Sequence, residues 1–249
     1  MNIHHILISI LFLITTSCKE KTDKQLPVTD NVKEEIAISS ENVPKAISNY
    51  TDFENSLIEN GLKDVQQLDS TINVELKYAT ADNFTGVVLY TELSHAFLQA
   101  EAAKKLVDAQ KKLKEKDPAL SLLVYDAVRP NSVQYKMWDL VVNTPKERYV
   151  AEPGSGSLHN FGGAVDLTIV RNGVPLDMGT PYDFFGKKAQ PRYNQFFLDR
   201  KELSPEQVAN RTLLRTVMKA VGFTPINSEW WHFNAFSLAY AKKHYKIIK

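Results

Sequence analysis

Two short segments of the chain combine histidines and carboxylates with apolar and aromatic neighbours, one around His159 and Asp166 and the other around Glu229 and His232. Side chains of these types ligate zinc and transfer protons, and they are costly to bury unless they are paired or bind a metal. We therefore interpret the two segments as the two parts of one metal site. The fold must then bring together positions that lie more than sixty residues apart.

The overall composition favours a single enzyme-sized domain. The chain has 249 residues, of which 43% are hydrophobic and 24% are charged, as is typical of globular proteins. Its 30 basic and 29 acidic residues give a net charge of +1, and no block of basic residues offers a surface for a phosphate backbone. We expect no nucleic-acid partner.

The N-terminal segment predicts export. Residues 6–14 form an apolar run that is too short to span a bilayer and is typical of a signal peptide, although no basic residue precedes it. Cys18, the only cysteine of the chain, follows this segment directly after small residues. The arrangement resembles a bacterial lipoprotein, so we expect a signal peptide over residues 1–17, a lipid anchor in a membrane at Cys18, and a periplasmic or cell-envelope location. A free buried cysteine is the alternative.

The remaining chain divides into a tether and a folded domain. Residues 18–49 are rich in charged and hydroxyl side chains without periodicity, which predicts a disordered tether. The folded domain is expected over residues 50–249. Its apolar periodicity predicts strands over 71–78, 120–125 and 164–170, helices near 52–60 and over 93–116, 131–142 and 205–221, a hairpin turn at 172–173 and a loop over 179–203.

Two candidate site residues have informative local contexts. Arg129 leaves a buried strand, and Pro130 restricts it to extended conformations, so we expect Arg129 to point into a cleft. Pairing with Asp126 is the alternative. Glu229 and His232 lie three residues apart, so a regular strand would turn them to opposite faces. Both reach one metal ion only if the backbone bulges or twists between them.

These residues together predict metal-assisted hydrolysis of an amide. A catalytic zinc usually has three protein ligands and one open position, and His159, Asp166 and His232 supply that set for one Zn²⁺ per chain. Glu229 is then left as the base for a water molecule activated by the ion, and Arg129 stabilises the oxyanion. The same residue types at these spacings also occur as satisfied core or surface residues, so the residues alone leave that alternative open.

A wider set of motifs resembles one family. The pattern His-x-x-Gly-x-Ala-x-Asp is followed, much later, by Glu-Trp-Trp-His. The matching blocks are residues 78–86, 126–130, 157–166, 177–184, 210–214 and 229–232. Their patterns and order resemble the zinc D,D-peptidases related to the vancomycin-resistance D-alanyl-D-alanine dipeptidases. The resemblance implies an α+β fold of the hedgehog and D,D-peptidase type, in which helices flank a central, mainly antiparallel sheet and the zinc lies in a cleft.

The resemblance implies the same zinc ligands, base and oxyanion-stabilising residue as the chemistry above, and it adds a substrate pocket. By this resemblance Tyr78 and Asp183 hold the free amine of the substrate, and Ser157 helps to bind it. A carboxylate in a small closed pocket pairs with the ammonium of a dipeptide, whereas a longer chain would collide or leave a buried charge unpaired. The implied function is a zinc D,D-dipeptidase that hydrolyses D-alanyl-D-alanine in cell-wall peptide metabolism.

Two other functions are compatible with the sequence. One is a D,D- or L,D-carboxypeptidase that acts on peptidoglycan stem peptides, and the other is a zinc-bearing binding module without turnover. Ala81, Ala127 and Val128 depart from the family pattern near the pocket, as do Asn160 and Phe161, so the preferred dipeptide need not be D-alanyl-D-alanine itself. An exported enzyme would meet dipeptide released from the wall, which favours recycling or scavenging over antibiotic resistance.

Overall fold

The fold is built around two long antiparallel strands, β4 (Leu120–Asp126) and β5 (Ala164–Arg171). They belong to a computed structural model that describes residues 50–249. The predicted signal peptide, Cys18 and the tether lie outside the described residues. Every residue of β4 and every residue of β5 except Arg171 is buried, as expected for continuous apolar runs in the centre of a sheet.

The described residues form seven helices and eight strands. The helices are α1 (Asp52–Glu59), α2 (Val65–Leu68), α3 (Ala100–Lys116), α4 (Asn131–Val141), α5 (Asn194–Asp199), α6 (Pro205–Ala220) and α7 (Leu238–His244). The other strands are β1 (Lys63–Asp64), β2 (Asn73–Val74), β3 (Phe97–Leu98), β6 (Val174–Pro175), β7 (Thr224–Pro225) and β8 (His232–Asn234).

The main sheet has the order β2-β4-β5-β8-β7, and β6 pairs with the far end of β5. The strands β1 and β3 form a separate two-stranded sheet. All pairings are antiparallel except that of β2 with β4. The prediction of an α+β fold with a mainly antiparallel central sheet is therefore confirmed.

Two long helices cover the sheet. The helix α3 packs on β4, α6 packs on β5, and the two helices contact each other. Leu106 and Leu113 of α3 and Leu214 and Met218 of α6 are fully buried in this layer. Each such side chain contributes about 1.5–3 kcal/mol of burial free energy, so the layer fixes the strands from which the site residues project. Within residues 50–249, no helix combines the length and the apolarity needed to cross a bilayer.

Several local predictions are confirmed. The helix α6 begins with a capping box in which Ser204 and Gln207 each accept a hydrogen bond from the other's backbone N–H, and Pro205 occupies the first helical position. Asn172 and Gly173, both with positive φ, form the turn between β5 and β6. The strand after residue 119, the helix from Asn131 and the strand from Ala164 also lie where their periodicity places them.

The prediction of a strand over residues 71–78 is wrong for most of that range. Only Asn73–Val74 pair with β4, in parallel, and after a last hydrogen bond from the N–H of Glu75 to the carbonyl of Val124 the chain leaves the sheet. It enters a 3₁₀ turn at Lys77–Ala79. The alternation reflected burial of side chains rather than strand pairing, and the turn carries Tyr78 away from the sheet.

Two other boundaries are corrected. The helix predicted from Leu93 begins only at Ala100, because Phe97–Leu98 pair with β1 as a strand. His95 therefore precedes the helix, and its Nδ1 atom lies 2.9 Å from a carboxylate oxygen of Glu54. The predicted loop over 179–203 contains the short helix α5.

Candidate active site and metal centre

His159 lies in a 3₁₀ turn, Leu158–Phe161, that begins directly after Ser157. The Ser157 hydroxyl oxygen accepts a hydrogen bond from the N–H of His159, and the side-chain oxygen of Asn160 accepts one from the N–H of Ser157. The ring Nδ1 of His159 lies 2.7 Å from the carbonyl oxygen of Ala127. Because a carbonyl only accepts, this contact places the proton on Nδ1 and leaves Nε2 free as a ligand.

Asp166 and His232 face each other across the neighbouring strands β5 and β8. The Oδ1 atom of Asp166 lies 2.9 Å from Nδ1 of His232 and 3.3 Å from Nε2 of His159. The second ring nitrogen of His232, Nε2, lies 2.8 Å from Oδ1 of Asn234. In each histidine one ring nitrogen thus contacts an oxygen acceptor that is not a candidate ligand, and the other ring nitrogen faces Asp166.

The three side chains form a candidate metal site. One ligand atom from each of His159, Asp166 and His232 lies within 4.8 Å of the others. Two imidazoles and a carboxylate, with the outer nitrogens already hydrogen-bonded, are a donor set that fits zinc. Burial raises the pKa of Asp166, but the two histidines outweigh it and hold that pKa well below its usual range. Asp166 is therefore ionised, as a ligand must be.

Glu229 lies directly before β8, in an irregular segment rather than in the strand. Because β8 begins only at His232, the alternation of a regular strand does not apply between the two residues, and both line the same cleft. Burial raises the pKa of Glu229 to about 7 in spite of the opposing effect of His232, with smaller contributions from the negative charges of Asp166 and Asp183. A carboxylate with such a pKa suits proton transfer near neutral pH.

Arg129 is buried and held in place by a carboxylate and an amide. Its Nε and one terminal nitrogen lie 3.0 and 2.6 Å from Oδ2 of Asp126, and its other terminal nitrogen lies 3.0 Å from Oε1 of Gln134. The guanidinium also lines the cleft and approaches Asp166 to 3.9 Å. The pairing with Asp126 and the orientation toward the cleft thus occur together: Asp126 fixes the guanidinium at the site.

Tyr78 and Asp183 come from distant segments and meet at the cleft. The hydroxyl of Tyr78 lies 3.1 and 3.3 Å from the two carboxylate oxygens of Asp183. Asp183 has a left-handed backbone with φ of 58°, a conformation that Asp adopts more readily than most residues. Burial, with a smaller contribution from the charge of Asp166, raises the pKa of Asp183 to about 7. A bound cation would pair with this carboxylate and favour its ionised form.

All of these residues surround one cleft of about 290 Å³. Its walls include aromatic rings from separate segments, with Phe185 centred 5.0 Å from Phe84 and 4.8 Å from Tyr149. The structure thus brings together eight of the nine residues that the sequence singled out. They are Tyr78, Arg129, Ser157, His159, Asp166, Asp183, Glu229 and His232. The ninth, Cys18, lies outside the described residues, and the roles of all nine stay predictions.

Comparison with known proteins agrees with this arrangement. A family model described as peptidase M15, D-Ala-D-Ala dipeptidase, matches residues 58–249. This chain belongs to that family. It is similar to the D-alanyl-D-alanine dipeptidase of Escherichia coli (strain K12), with 34% identity over 176 residues that cover 69% of this chain and 83% of the relative. The D-alanyl-D-alanine dipeptidase of Enterococcus faecium is 28% identical over 203 residues, which cover 71% of this chain and 92% of the relative.

The prediction of a peptidase is confirmed by this membership. Peptidases of the M15 family are generally metal-dependent, in agreement with the candidate site formed by His159, Asp166 and His232. The match also extends beyond the region in which the sequence motifs were found, from residue 58 to the last residue of the chain.

Sequence reasoning gave no role to several polar residues of this M15 peptidase. The hydroxyl of Tyr182 lies 2.9 Å from Oδ2 of Asp166 and 3.3 Å from the hydroxyl of Tyr78, and Asn234 holds the outer nitrogen of His232. Tyr182 lies inside a matching motif block, so its position near the site was available from the sequence. The contact of its hydroxyl with the candidate ligand Asp166 could not be predicted, because nothing in the block shows where the hydroxyl points.

Proposed function

We propose that the protein is a zinc-dependent D,D-dipeptidase that hydrolyses D-alanyl-D-alanine or a close relative. The observation that carries the proposal is the shared cleft, in which three candidate ligands, a half-buried carboxylate, a guanidinium and an amine-binding pair face one volume of about 290 Å³. The names of the curated relatives support the substrate class. The donor set of two histidines and one aspartate supports zinc.

Each residue has a role that its surroundings favour. His159, Asp166 and His232 would hold the ion, which when bound supplies a Lewis acid for the scissile carbonyl and lowers the pKa of water. Glu229, with a pKa of about 7, accepts the proton of the attacking water and later delivers it to the leaving amine. Arg129, oriented by Asp126, stabilises the negative charge that develops on the carbonyl oxygen.

The amine pocket limits the length of the substrate. Tyr78 and Asp183 line the cleft next to each other and would present a carboxylate to the free ammonium of a dipeptide. Ser157, at the start of the turn that carries His159, contributes a hydroxyl to the same cleft. A longer peptide has no ammonium at this position and would bury Asp183 against an uncharged amide. These contacts favour a dipeptidase over a carboxypeptidase.

The direct test is hydrolysis by the purified full-length chain. We expect release of D-alanine from D-alanyl-D-alanine, loss of the activity on chelation, and recovery when zinc is added. A pentapeptide stem should be cleaved at least tenfold more slowly. Preferred cleavage of the pentapeptide would instead indicate a carboxypeptidase, and zinc binding without cleavage of either peptide would indicate a binding module.

We also propose that the peptidase is exported and anchored to a membrane of the cell envelope through Cys18, with residues 1–17 as the signal peptide, 18–49 as the tether and 50–249 as the catalytic domain. There the enzyme would meet dipeptide released from the wall, so its role would be recycling or scavenging. Fractionation tests this: the chain should be in the membrane fraction, and Cys18→Ala should release it. A chain found in the cytoplasm would contradict the proposal.

A further inference from the structure

Tyr182 connects the candidate metal ligands to the amine pocket. Its hydroxyl lies 2.9 Å from Oδ2 of Asp166 and 3.3 Å from the hydroxyl of Tyr78. The ring of Tyr182 packs against Tyr125, with centroids 5.1 Å apart, and edge-on against Trp231, with centroids 5.3 Å apart. Because aromatic neighbours hold the ring, the direction of the hydroxyl is set by packing.

The two oxygens of Asp166 have different partners. Oδ1 faces the ligand nitrogens of His159 and His232, whereas Oδ2 receives the Tyr182 hydroxyl and has Arg129 only at 3.9 Å. Without a donor on Oδ2 the carboxylate would be free to rotate and to exchange its oxygens at the metal. A hydrogen bond on one oxygen fixes which of the two faces the histidines.

A count of protons shows that Tyr182 donates to Asp166. Tyr78 and Tyr182 make three contacts with each other and with Asp166 and Asp183, but each hydroxyl has only one proton. A carboxylate that binds a metal is deprotonated and can only accept, and the contact of Tyr182 with Asp166 is the shortest of the three. The proton of Tyr182 therefore points to Asp166, and the proton of Tyr78 points to Asp183.

We propose that Tyr182 is a positioning residue of this peptidase, whose hydroxyl holds Asp166 in the orientation that binds the metal. This inference rests on the proposed function, since it concerns the same ion. In this role Tyr182 acts on the metal through Asp166 and not through contact with the substrate. Loss of a hydrogen bond to a metal-ligating carboxylate typically weakens metal binding by about 10- to 100-fold.

The test compares Tyr182→Phe with Tyr125→Phe in the full-length chain. Both changes remove one phenolic oxygen from packed rings, but among residues 50–249 the hydroxyl of Tyr125 makes no side-chain hydrogen bond. Zinc affinity is measured by competition with a chromophoric chelator. We expect Tyr182→Phe to bind zinc about 10- to 100-fold more weakly and Tyr125→Phe to stay within about twofold of the natural chain. The visible spectrum of the cobalt-substituted protein should change for Tyr182→Phe alone.

A third variant separates positioning of the metal ligand from binding of the amine. Tyr78→Phe leaves the hydrogen bond from Tyr182 to Asp166 in place, so we expect unchanged zinc affinity and a raised KM. Equal zinc affinity for Tyr182→Phe and the natural chain would overturn the inference. So would a large fall in the unfolding temperature of metal-free Tyr182→Phe, which would show a structural role. If the natural chain itself bound no zinc, the proposed function would fail first.

Discussion

Glu54 and Asp166 are both buried carboxylates that contact histidines, and they differ in where their other partners come from. Glu54, which is fully buried, receives hydrogen bonds from the backbone N–H groups of Thr51, Ser94 and His95 at 2.7–3.1 Å, and from the Ser94 hydroxyl and His95 Nδ1. Asp166 is contacted by side chains instead: one nitrogen of each of its two histidines lies 2.9 or 3.3 Å from Oδ1, and the Tyr182 hydroxyl donates to Oδ2.

This difference separates a structural cluster, formed by Glu54 and its donors, from a proposed reactive cluster, formed by Asp166 and its neighbours in the cleft. The donors of Glu54 are mostly backbone groups that no ion can replace, so its carboxylate joins α1 to the segment before β3. The histidine nitrogens beside Asp166 are candidate ligands, and in the proposed site a metal ion would take the position between them. A histidine and an acid in contact therefore do not by themselves indicate a metal site. What matters is whether the donor atoms of three side chains converge on one cleft.

The largest effect should come from the base at the reactive cluster. Replacing Glu229 by Gln keeps the shape of the side chain but removes the proton acceptor, so we expect kcat to fall by about 10³-fold, within the usual range for a general base. The measurement is the rate of D-alanyl-D-alanine hydrolysis at saturating zinc.

Glu206→Gln, an exposed change in the first turn of α6, serves as the matched control and should leave the rate unchanged. Zinc affinity of Glu229→Gln should also stay near that of the natural chain, because Glu229 is not among the three ligands. A rate within tenfold of normal for Glu229→Gln would mean that another group accepts the proton.

A substitution in the structural cluster should lower the stability of the fold rather than the rate of hydrolysis. In Glu54→Gln the charge is lost and the amide nitrogen faces a backbone N–H donor in either orientation. We therefore expect the free energy of unfolding to fall by about 1.5–3 kcal/mol, the range for hydrogen bonds to a charged group. Urea denaturation measures the loss. Glu59→Gln, an exposed change on the same helix, should cost less than about 0.5 kcal/mol.

Zinc affinity provides the second half of this test. Glu54→Gln should bind zinc as the natural chain does once it is folded, since Glu54 lines no part of the cleft described above. A parallel loss of stability and zinc affinity would show that the two clusters are coupled, and the contrast between them would not hold.

The sequence predicted the reactive cluster better than the structural one. The candidate ligands stand in motif blocks whose residue types are typical of metal ligation, and the long strands that carry Asp126 and Asp166 follow from continuous apolar runs. By contrast, the contact of His95 with Glu54 was not predicted, because Glu54 lies 41 residues earlier and no pattern joins them. The contact of Tyr182 with Asp166 was also beyond prediction, since it depends on ring packing between separate loops.

A smaller effect is expected from pH at the amine pocket. Because burial raises the pKa of Asp183 to about 7, the carboxyl becomes neutral on acidification and no longer pairs with the ammonium of a dipeptide. KM should therefore rise as the pH falls below about 7, approaching tenfold per pH unit. Steady-state kinetics between pH 5 and pH 8 measures it, and Asp183→Asn should give a high KM that does not depend on pH. An equally steep profile in that variant would assign the titration to another group.

The smallest effect concerns the acid stability of the structural cluster. Burial alone would raise the pKa of Glu54, but the hydrogen bonds from Ser94, His95 and Thr51 outweigh it and lower that pKa below its ordinary value of 4.5. A carboxyl with a lowered pKa in the folded state stabilises the fold fully above the unfolded pKa, and this stabilisation is lost as the pH falls through the folded pKa. Between pH 7 and pH 5 we therefore expect Glu54 to change the free energy of unfolding by less than about 0.5 kcal/mol, with the loss beginning below pH 5.

Urea denaturation of the natural chain and of Glu54→Gln across this range isolates the contribution of Glu54. The difference between the two curves should shrink only below about pH 5, and a difference that shrank between pH 8 and pH 6 would contradict a lowered pKa of Glu54.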